Sequence, residues 1–473
     1  MPEKTKFKQS LGLLDATMIV VGSMIGSGIF IVSADITRNV GSAGWLILIW
    51  VFTGILTLTA ALSYGELSGM YPRAGGQYVY LKEAFNPLVG FLYGWSFFAV
   101  IQAGSIAAVG VAFSKFAAYI FPSLSDTHIL IDLGFLHISA AQITSILLIV
   151  VLTFINTLGV KEGKAIQTIF TLAKIIALAG LVIFGFLLAA KADIAHANWS
   201  TGSTLGHREG DKILPYVGMA GLAAIAGSMV GSLFSSDSWN NVTFIAGEIK
   251  RPERNIGLSL FLGTLIVTAI YVATNLMYVN VLSLQDIANA ENDRVGVTAS
   301  LRIFGASGTT VMAVLLMIST FGCDNGLILS GARVYYTMAR DGVFFRSIGV
   351  LNRNAVPGRA LWMQCIWASV LCLSGKYNEL LAYVIFVVLI FYILTILGIF
   401  RLRRTKPDWP RPYKAFGYPV LPLLYILLAG AICILLFLFK PTFTWPGLGI
   451  VLLGIPIYYG ITKNRSPHVD STD

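Results

Sequence analysis

Gly22-Ser23-Met24-Ile25-Gly26-Ser27-Gly28-Ile29-Phe30 sets glycines and serines in the middle of an apolar stretch that runs from Leu11 to Val40. Glycine lets a helix unwind and brings its backbone within reach of a ligand. The stretch is long enough to cross a bilayer, and unpaired backbone at membrane depth is tolerated only where protein or a polar cavity satisfies it. The break therefore implies a cavity near the midplane, with close helix packing through small residues as the alternative. A second interruption is Gly227-Ser228-Met229-Val230-Gly231-Ser232-Leu233-Phe234-Ser235-Ser236-Asp237-Ser238-Trp239-Asn240-Asn241, where serine, asparagine and one acid crowd an apolar segment. The chemistry offered is recognition of a zwitterion. A half-helix that restarts after the first break presents the N–H groups of Ser27, Gly28 and Ile29 to an anion such as a carboxylate. Half-helices that stop leave carbonyls around Met24 and Ile25, and around Phe234 and Ser235, as acceptors for an ammonium group. An α-amino acid carries both groups on one carbon.

Lys174, in Phe170-Thr171-Leu172-Ala173-Lys174-Ile175-Ile176, lies about ten residues into another apolar run, roughly 15 Å deep at about 1.5 Å per residue. A lysine at mid-span costs roughly 2.5–3.5 kcal/mol on insertion scales and is a functional candidate by default. Snorkelling to an interface is the plainer reading. Asp237 could face a substrate ammonium, bond to a neighbouring backbone N–H, or take part in proton coupling. Gln102 could line a side-chain pocket or make an interhelical hydrogen bond. The five histidines (His128, His137, His196, His207, His468) fall in outer segments or the tail and make no metal cluster. Neither a metal nor a cofactor is expected, and no paired nucleophile and base within the spans points to an enzyme.

The elements that hold these residues are membrane helices. Over 473 residues the chain is 56% hydrophobic and only 12% charged, with mean hydropathy +0.77, far from the roughly 25% charged of globular proteins. Apolar runs recur along the whole length, so residues 1–473 form one transmembrane domain. Twelve spans are predicted, at roughly 12–38, 43–70, 85–120, 138–159, 164–190, 213–247, 256–282, 301–340, 359–375, 378–400, 418–438 and 442–462. Spans one and six, which carry the two breaks, are five apart. A repeat of five spans beginning again at span six would have inverted topology, and broken helices at matching places in inverted halves point to a transporter substrate site.

Cys323, Cys365, Cys372 and Cys433 all fall in apolar spans and read as core residues. The basic N-terminus with Lys4, Lys6 and Lys8 lacks a small-residue cleavage site, so the first span is expected to be retained. With both termini cytoplasmic, about two thirds of the 33 basic residues face inside, in accord with the positive-inside rule. The net charge of +10 then needs no nucleic-acid partner; membrane lipid head groups suffice.

Five segments resemble one family. They are Gly22 to Phe30; Tyr64-Gly65-Glu66-Leu67 with Tyr71-Pro72-Arg73-Ala74-Gly75-Gly76-Gln77-Tyr78; Phe234 to Asn240 with Gly247-Glu248; Phe321-Gly322-Cys323-Asp324-Asn325-Gly326 with Arg333 and Ala339-Arg340-Asp341-Gly342; and Arg411-Pro412-Tyr413-Lys414. In that order they are similar to the amino acid, polyamine and organocation superfamily, and within it to the L-type amino acid transporters and their bacterial relatives. The resemblance implies an all-α integral membrane fold of 12 transmembrane helices. These would form a LeuT-like five-plus-five inverted repeat with discontinuous helices 1 and 6 (spans 1–5 about 12–190, spans 6–10 about 213–400), then spans 11–12 at about 418–462. It implies transport of amino acids across the plasma membrane by alternating access, as an exchanger or a proton-coupled symporter.

Family roles carry over at matching positions. Ile25, Gly26, Ser27, Gly28 and Ile29 resemble the backbone clamp for the amino acid, and Phe234 the aromatic gate above it. Ser235, Ser236, Asp237 and Trp239 line the second break, and Asn325 is placed with the substrate site. Ser236 stands where an aromatic is frequent, which leaves more room beside the gate. Packing is the plainer reading for Phe234, one of 29 phenylalanines. Sodium-coupled members hold sodium between spans one, five and eight; sodium-independent relatives resemble this chain in having a lysine there. Lys174 would then bond to carbonyls of span one and to hydroxyls of span eight, for which Ser319 and Thr320 are the candidates, and could also carry a coupling proton. Asp324 departs from the small or apolar residue common in the family: it could pair with Lys174, bind a cationic side chain, or cap a distorted helix. Glu66 and Arg73 are expected in an inner salt-bridge network.

The substrate expected is a neutral L-amino acid, with a cationic amino acid or polyamine as the alternative because of Asp237 and Asp324. A channel or substrate-sensing receptor of the same fold is a further class, although no pore ring or signalling domain is visible. A single-span or homo-oligomeric partner is not defined by the sequence.

Overall fold

The computed structural model describes residues 7–132, 137–210, 212–373 and 377–463. Lys4 and Lys6 of the basic N-terminus, and His468 in the tail, lie outside the described residues. The first apolar stretch is two helices, α1 (Leu13–Met24) and α2 (Val32–Val40), joined by a 3₁₀ turn at Gly28–Phe30. The long α3 (Ala43–Met70) follows, then α4 (Gln77–Ala84), α5 (Pro87–Ser96) and α6 (Gln102–Ile120). Next come α7 (Ala140–Leu158), α8 (Val160–Phe184) and the short α9 (Ala192–Ser200). The second interrupted segment is α10 (Met219–Ser235) and α11 (Asn241–Phe244). Beyond it lie α12 (Pro252–Val281), α13 (Leu284–Ala288), α14 (Val295–Phe304), α15 (Gly308–Arg340), α16 (Gly358–Leu373), α17 (Tyr377–Thr405), α18 (Val420–Phe439) and α19 (Pro441–Lys463).

Among the described residues nine helical runs are long and apolar enough to cross a membrane, and α1, α10 and α16 are shorter apolar helices. The protein is thus an all-helical membrane protein. Their outer faces carry exposed large side chains such as Leu147 and Phe154 on α7, Ile169 and Ile176 on α8, and Ile434 on α18. Apolar side chains exposed in such number belong against lipid, not water.

Local sequence sets the helix starts. Ser42 caps α3 by accepting from the Trp45 N–H, and Asn86 caps α5 by accepting from Val89 at 2.9 Å, with Pro87 in the first turn. Ser139 and Gln142 form a reciprocal capping box at the start of α7. Two features were not anticipated. Antiparallel hairpins β1 (Ile129–Asp132) with β2 (His137–Ser139), and β3 (Gly206–Glu209) with β4 (Lys212–Pro215), stand before α7 and α10. Residues 213–215, expected to open span six, are the last strand, and the helix itself begins at Met219. Likewise residues 301–304, expected to open span eight, belong to α14, which Gly305, at φ +63°, separates from α15.

The core lies along α1, which packs on α8, α12 and α15, while α12 also packs along α3. Buried at the end of this core away from the cavity described below is an ion pair. Arg333 on α15 donates from Nε to Glu248 Oε1 at 3.0 Å and from a terminal nitrogen to Oε2 at 3.2 Å, and also to the Leu329 carbonyl. Both side chains are essentially fully buried. The Glu248 carbonyl in turn accepts from Ser10 and Leu11, so the pair anchors the segment leading into α1. Removing one partner strands a buried charge. Glu248→Gln is therefore expected to destabilise the protein by about 3–5 kcal/mol, read as a lower unfolding temperature in detergent, and Glu248→Met with Arg333→Met to recover much of the loss.

Candidate functional site

Helix α1 stops because Gly26-Ser27-Gly28 offers little helix propensity and Ile25 turns extended, at φ −76° and ψ 100°. The last carbonyls of α1 then lack intrahelical donors, and neighbouring helices supply them. Lys174, fully buried on α8, donates from Nζ to the Gly22 and Ile25 carbonyls, both at 2.7 Å, and to the Ser319 carbonyl of α15 at 3.2 Å. The Ser319 hydroxyl donates to the carbonyls of Ile25 (3.3 Å) and Gly26 (3.0 Å). The Cys323 thiol donates to the Ser23 carbonyl at 3.1 Å. Lys174 thus meets α1 and α15, but it takes the carbonyl of Ser319 and not the hydroxyl, which reaches α1 instead. Thr320 is not part of the contact: its hydroxyl turns back onto the Leu316 carbonyl of its own helix at 2.7 Å.

On the other side of the break the backbone is free. The N–H groups of Gly26, Ser27, Gly28 and Ile29 donate to no acceptor among the described residues, whereas those of Phe30 and Ile31 close the 3₁₀ turn. Ser27 and Gly28 lie at the foot of a cavity of about 840 Å³. Phe234, at the end of α10, also lines it, and Asp35, Lys115, Asp293 and Arg294 line it further out. Arg38 pairs with Asp293 at 2.7 Å, and Arg294 lies over the Tyr119 ring at 4.9 Å.

The two breaks touch. A Cβ on Gly28 would fall 2.0 Å from Ser235 Oγ and 2.7 Å from Ser235 Cβ, so only glycine lets α10 approach this closely. Tyr271 on α12 ties both ends together, its hydroxyl lying 3.1 Å from the Met24 carbonyl and 3.0 Å from the Ser235 carbonyl. Nothing in the sequence marked Tyr271, one of 19 tyrosines. Its value depends on a pairing of distant helices.

Past Ser235 the chain turns through Ser238, which sits in the left-handed region at φ +67°. A non-glycine residue there costs roughly 1–2 kcal/mol. Asp237 accepts from Tyr392 of α17 at 2.6 Å and from the Ser238 N–H. Trp239 is buried, edge-on to Tyr64 at 4.8 Å and tilted against Tyr392 at 5.0 Å. Asp237 lines two small crevices of about 10 and 20 Å³, the second of which includes Ser236. Each has room for little more than a water molecule. Gln102 lines the first crevice, but its amide donates to the Leu327 carbonyl at 2.7 Å, the interhelical bond.

Asn325 is not at the cavity. It is fully buried on another face of α15, donating to the Gly163 carbonyl and Gln167 Oε1 and accepting from Asn156 at 2.9 Å, a tie between α15, α7 and α8. Asp324 beside it does not pair with Lys174, whose bonds all go to carbonyls. At the end of the bundle away from the cavity, Glu66 receives two bonds from Arg403 (2.9 and 2.6 Å), one from the Ala415 N–H, and an ion pair from Arg411. Arg403 and Arg411 take the place expected for Arg73. Lys82 pairs with Asp341 and Lys406 with Glu83 nearby, so this end is laced shut while the other holds the cavity.

A helical membrane bundle, interrupted twice where an open cavity meets unpaired amides, has the layout of a transporter and not of an enzyme. The chain belongs to the amino acid permease family, whose model matches residues 11–461. It is therefore a permease of the amino acid, polyamine and organocation superfamily. It is 30% identical over 463 residues to the large neutral amino acids transporter small subunit 2 of Mus musculus, covering 97% of this chain and 82% of that protein. The Asc-type amino acid transporter 1 of Mus musculus is 29% identical over 466 residues, with the same coverage. The b(0,+)-type amino acid transporter 1 of Homo sapiens is 28% identical over 460 residues, covering 97% and 88%.

Gly28→Ala is expected to wedge α10 away from the first break and abolish uptake. Ser235→Gly in the same chain removes the atoms the new methyl would strike and is expected to restore it. Uptake into proteoliposomes by the single and double variants measures this directly.

Proposed function

We propose that the chain carries neutral L-amino acids across the plasma membrane without sodium, by alternating access, as an exchanger or a proton-coupled symporter. Its twelve spans form a five-plus-five inverted repeat followed by two further spans, with α1–α2 as span one, α10–α11 as span six and both termini cytoplasmic. The observation that carries this reading is the pair of amides of Ser27 and Gly28, which line the cavity and donate to no acceptor among the described residues. Those amides bind the substrate carboxylate by backbone alone. The ammonium is received at the end of α10, beside Phe234, which closes over the substrate as a gate. The Ile25 carbonyl contributes less than its position in the sequence implies, since Lys174 and Ser319 already use its two lone pairs.

With both termini taken as cytoplasmic, this reading makes the conformation outward-open: the cavity faces outside, and the Glu66, Glu83 and Asp341 ion pairs lie toward the cytoplasmic end. Sodium independence rests on Lys174. Its ammonium occupies the space among the carbonyls of α1 and α15 that a metal ion would need, and supplies the same positive charge. A neutral substrate is supported by the names of the relatives and by the acids. Asp237 is engaged by Tyr392, and Asp324 is absent from the lining of the open cavity. All four cysteines lie within helices, so any partner subunit would be held without a disulfide.

Counterflow tests the whole reading. Proteoliposomes loaded with unlabelled leucine or alanine should accumulate the labelled amino acid above equilibrium equally with sodium or choline outside; dependence on sodium, or accumulation of arginine or putrescine alone, would overturn it. Lys174→Ala leaves the Gly22 and Ile25 carbonyls without that donor, a cost of about 1–3 kcal/mol. The variant is expected to remain folded by gel filtration and to lose or uncouple transport; unchanged transport and coupling would remove Lys174 from the mechanism.

A further inference from the structure

Asp324 has no place in the site described so far, and among the described residues it is a buried ionisable group without a partner. Its residue is fully buried in α15, and neither carboxylate oxygen has a hydrogen-bond partner among the described residues. Lys174, the nearest candidate cation by sequence motif, spends its ammonium on three carbonyls. Among the described residues the other deeply buried acids are matched: Glu66 by Arg403 and Arg411, Glu248 by Arg333, and Asp237 by the Tyr392 hydroxyl. Among the described residues the thiols of Cys365 and Cys372 on α16 and of Cys323 on its own helix lie within electrostatic reach of Asp324, and none of them supplies a positive charge.

An isolated carboxylate in so dry a place is not sustainable, because the cost of desolvating it far exceeds that of adding a proton. A proton on the side chain removes that cost. Its neighbours in sequence link that state to the moving parts. Cys323 bonds to the Ser23 carbonyl of α1, and Asn325 bonds to α7 and α8. A charged Asp324 requires water or a partner beside α15, which means a different packing of that helix against its neighbours. A proton that favours one packing over another shifts the balance between them by that difference in affinity, and the two packings hold the proton to different degrees in return.

We infer that Asp324 is the proton-binding site of this carrier, loaded in the outward-open packing and emptied when the packing around α15 admits water. The step balances simply: the carboxylate takes one proton from the outer phase to become the acid and returns that proton to the inner phase, so one proton accompanies each zwitterion inward. This inference rests on the amino acid carrier reading and selects symport from its two forms.

The test uses the full chain in proteoliposomes that enclose a pH-sensitive dye. Amino acid entry into wild-type vesicles should acidify the lumen, and an acidic outer phase should drive accumulation. Asp324→Asn should keep counterflow exchange and lose both proton signals, while Asp324→Glu, which retains the titratable group, should keep them. Proton-driven accumulation by Asp324→Asn, or net amino acid entry into unloaded wild-type vesicles without acidification of the lumen, would overturn the inference and leave the carrier reading intact. Absence of wild-type counterflow with any amino acid would instead sink the carrier reading. An infrared difference spectrum between purified wild type and Asp324→Asn near neutral pH reports on the proton without transport. It should contain the carbonyl stretch of a protonated carboxyl, and its absence would overturn the assignment.

Discussion

A helix that stops inside a membrane leaves carbonyls with nothing to bond, and in hydrocarbon each would cost several kcal/mol. The rest of this structure depends on how that debt at the end of α1 is met. Lys174 from α8, Ser319 and Cys323 from α15, and Tyr271 from α12 all turn to the carbonyls between Gly22 and Gly26. Three helices are thereby fixed around one break. On the opposite side the amides of Ser27 and Gly28 donate to no acceptor among the described residues and border the cavity, so the break has two unlike sides: carbonyls tied down within the protein, amides beside open space.

The same requirement explains the small residues around the break. Donors reach α1 only if its neighbours come close, and Gly22 gives way to Gln167 and Thr171, where a Cβ would fall 2.0 and 2.3 Å from their polar atoms. Gly28 does the same for Ser235. The small residues are therefore needed for packing: at Gly22 and Gly28 close contact between helices leaves no room for a side chain.

What the sequence made legible follows from contrast. Lys174, the glycines of the first break and the acid in the second are conspicuous because their surroundings are apolar, and the positions of the breaks were readable without coordinates; the contact of Lys174 with α1 was implied only by the family resemblance. Pairings between distant residues were not. Glu66 meets Arg403 and Arg411 across more than 300 residues, and no local pattern distinguishes them from Arg73. Thr320 and Asn325 sit one residue from useful neighbours, but a step of about 100° around a helix points each elsewhere. Ser238 gives no sign of its left-handed backbone, since serine is common in turns of every kind. The hairpins before α7 and α10 are too short to show a period.

Tyr271 has one hydrogen to give and two carbonyls within reach, one at the end of each interrupted helix. At any instant only one of them holds a full bond, and the phenol is an arbiter between the halves. Were α1 and α10 to part, the hydroxyl could follow only one, and the helix that kept it would retain α12 as a companion. The other would be left with a bare carbonyl, free to accept from a new donor.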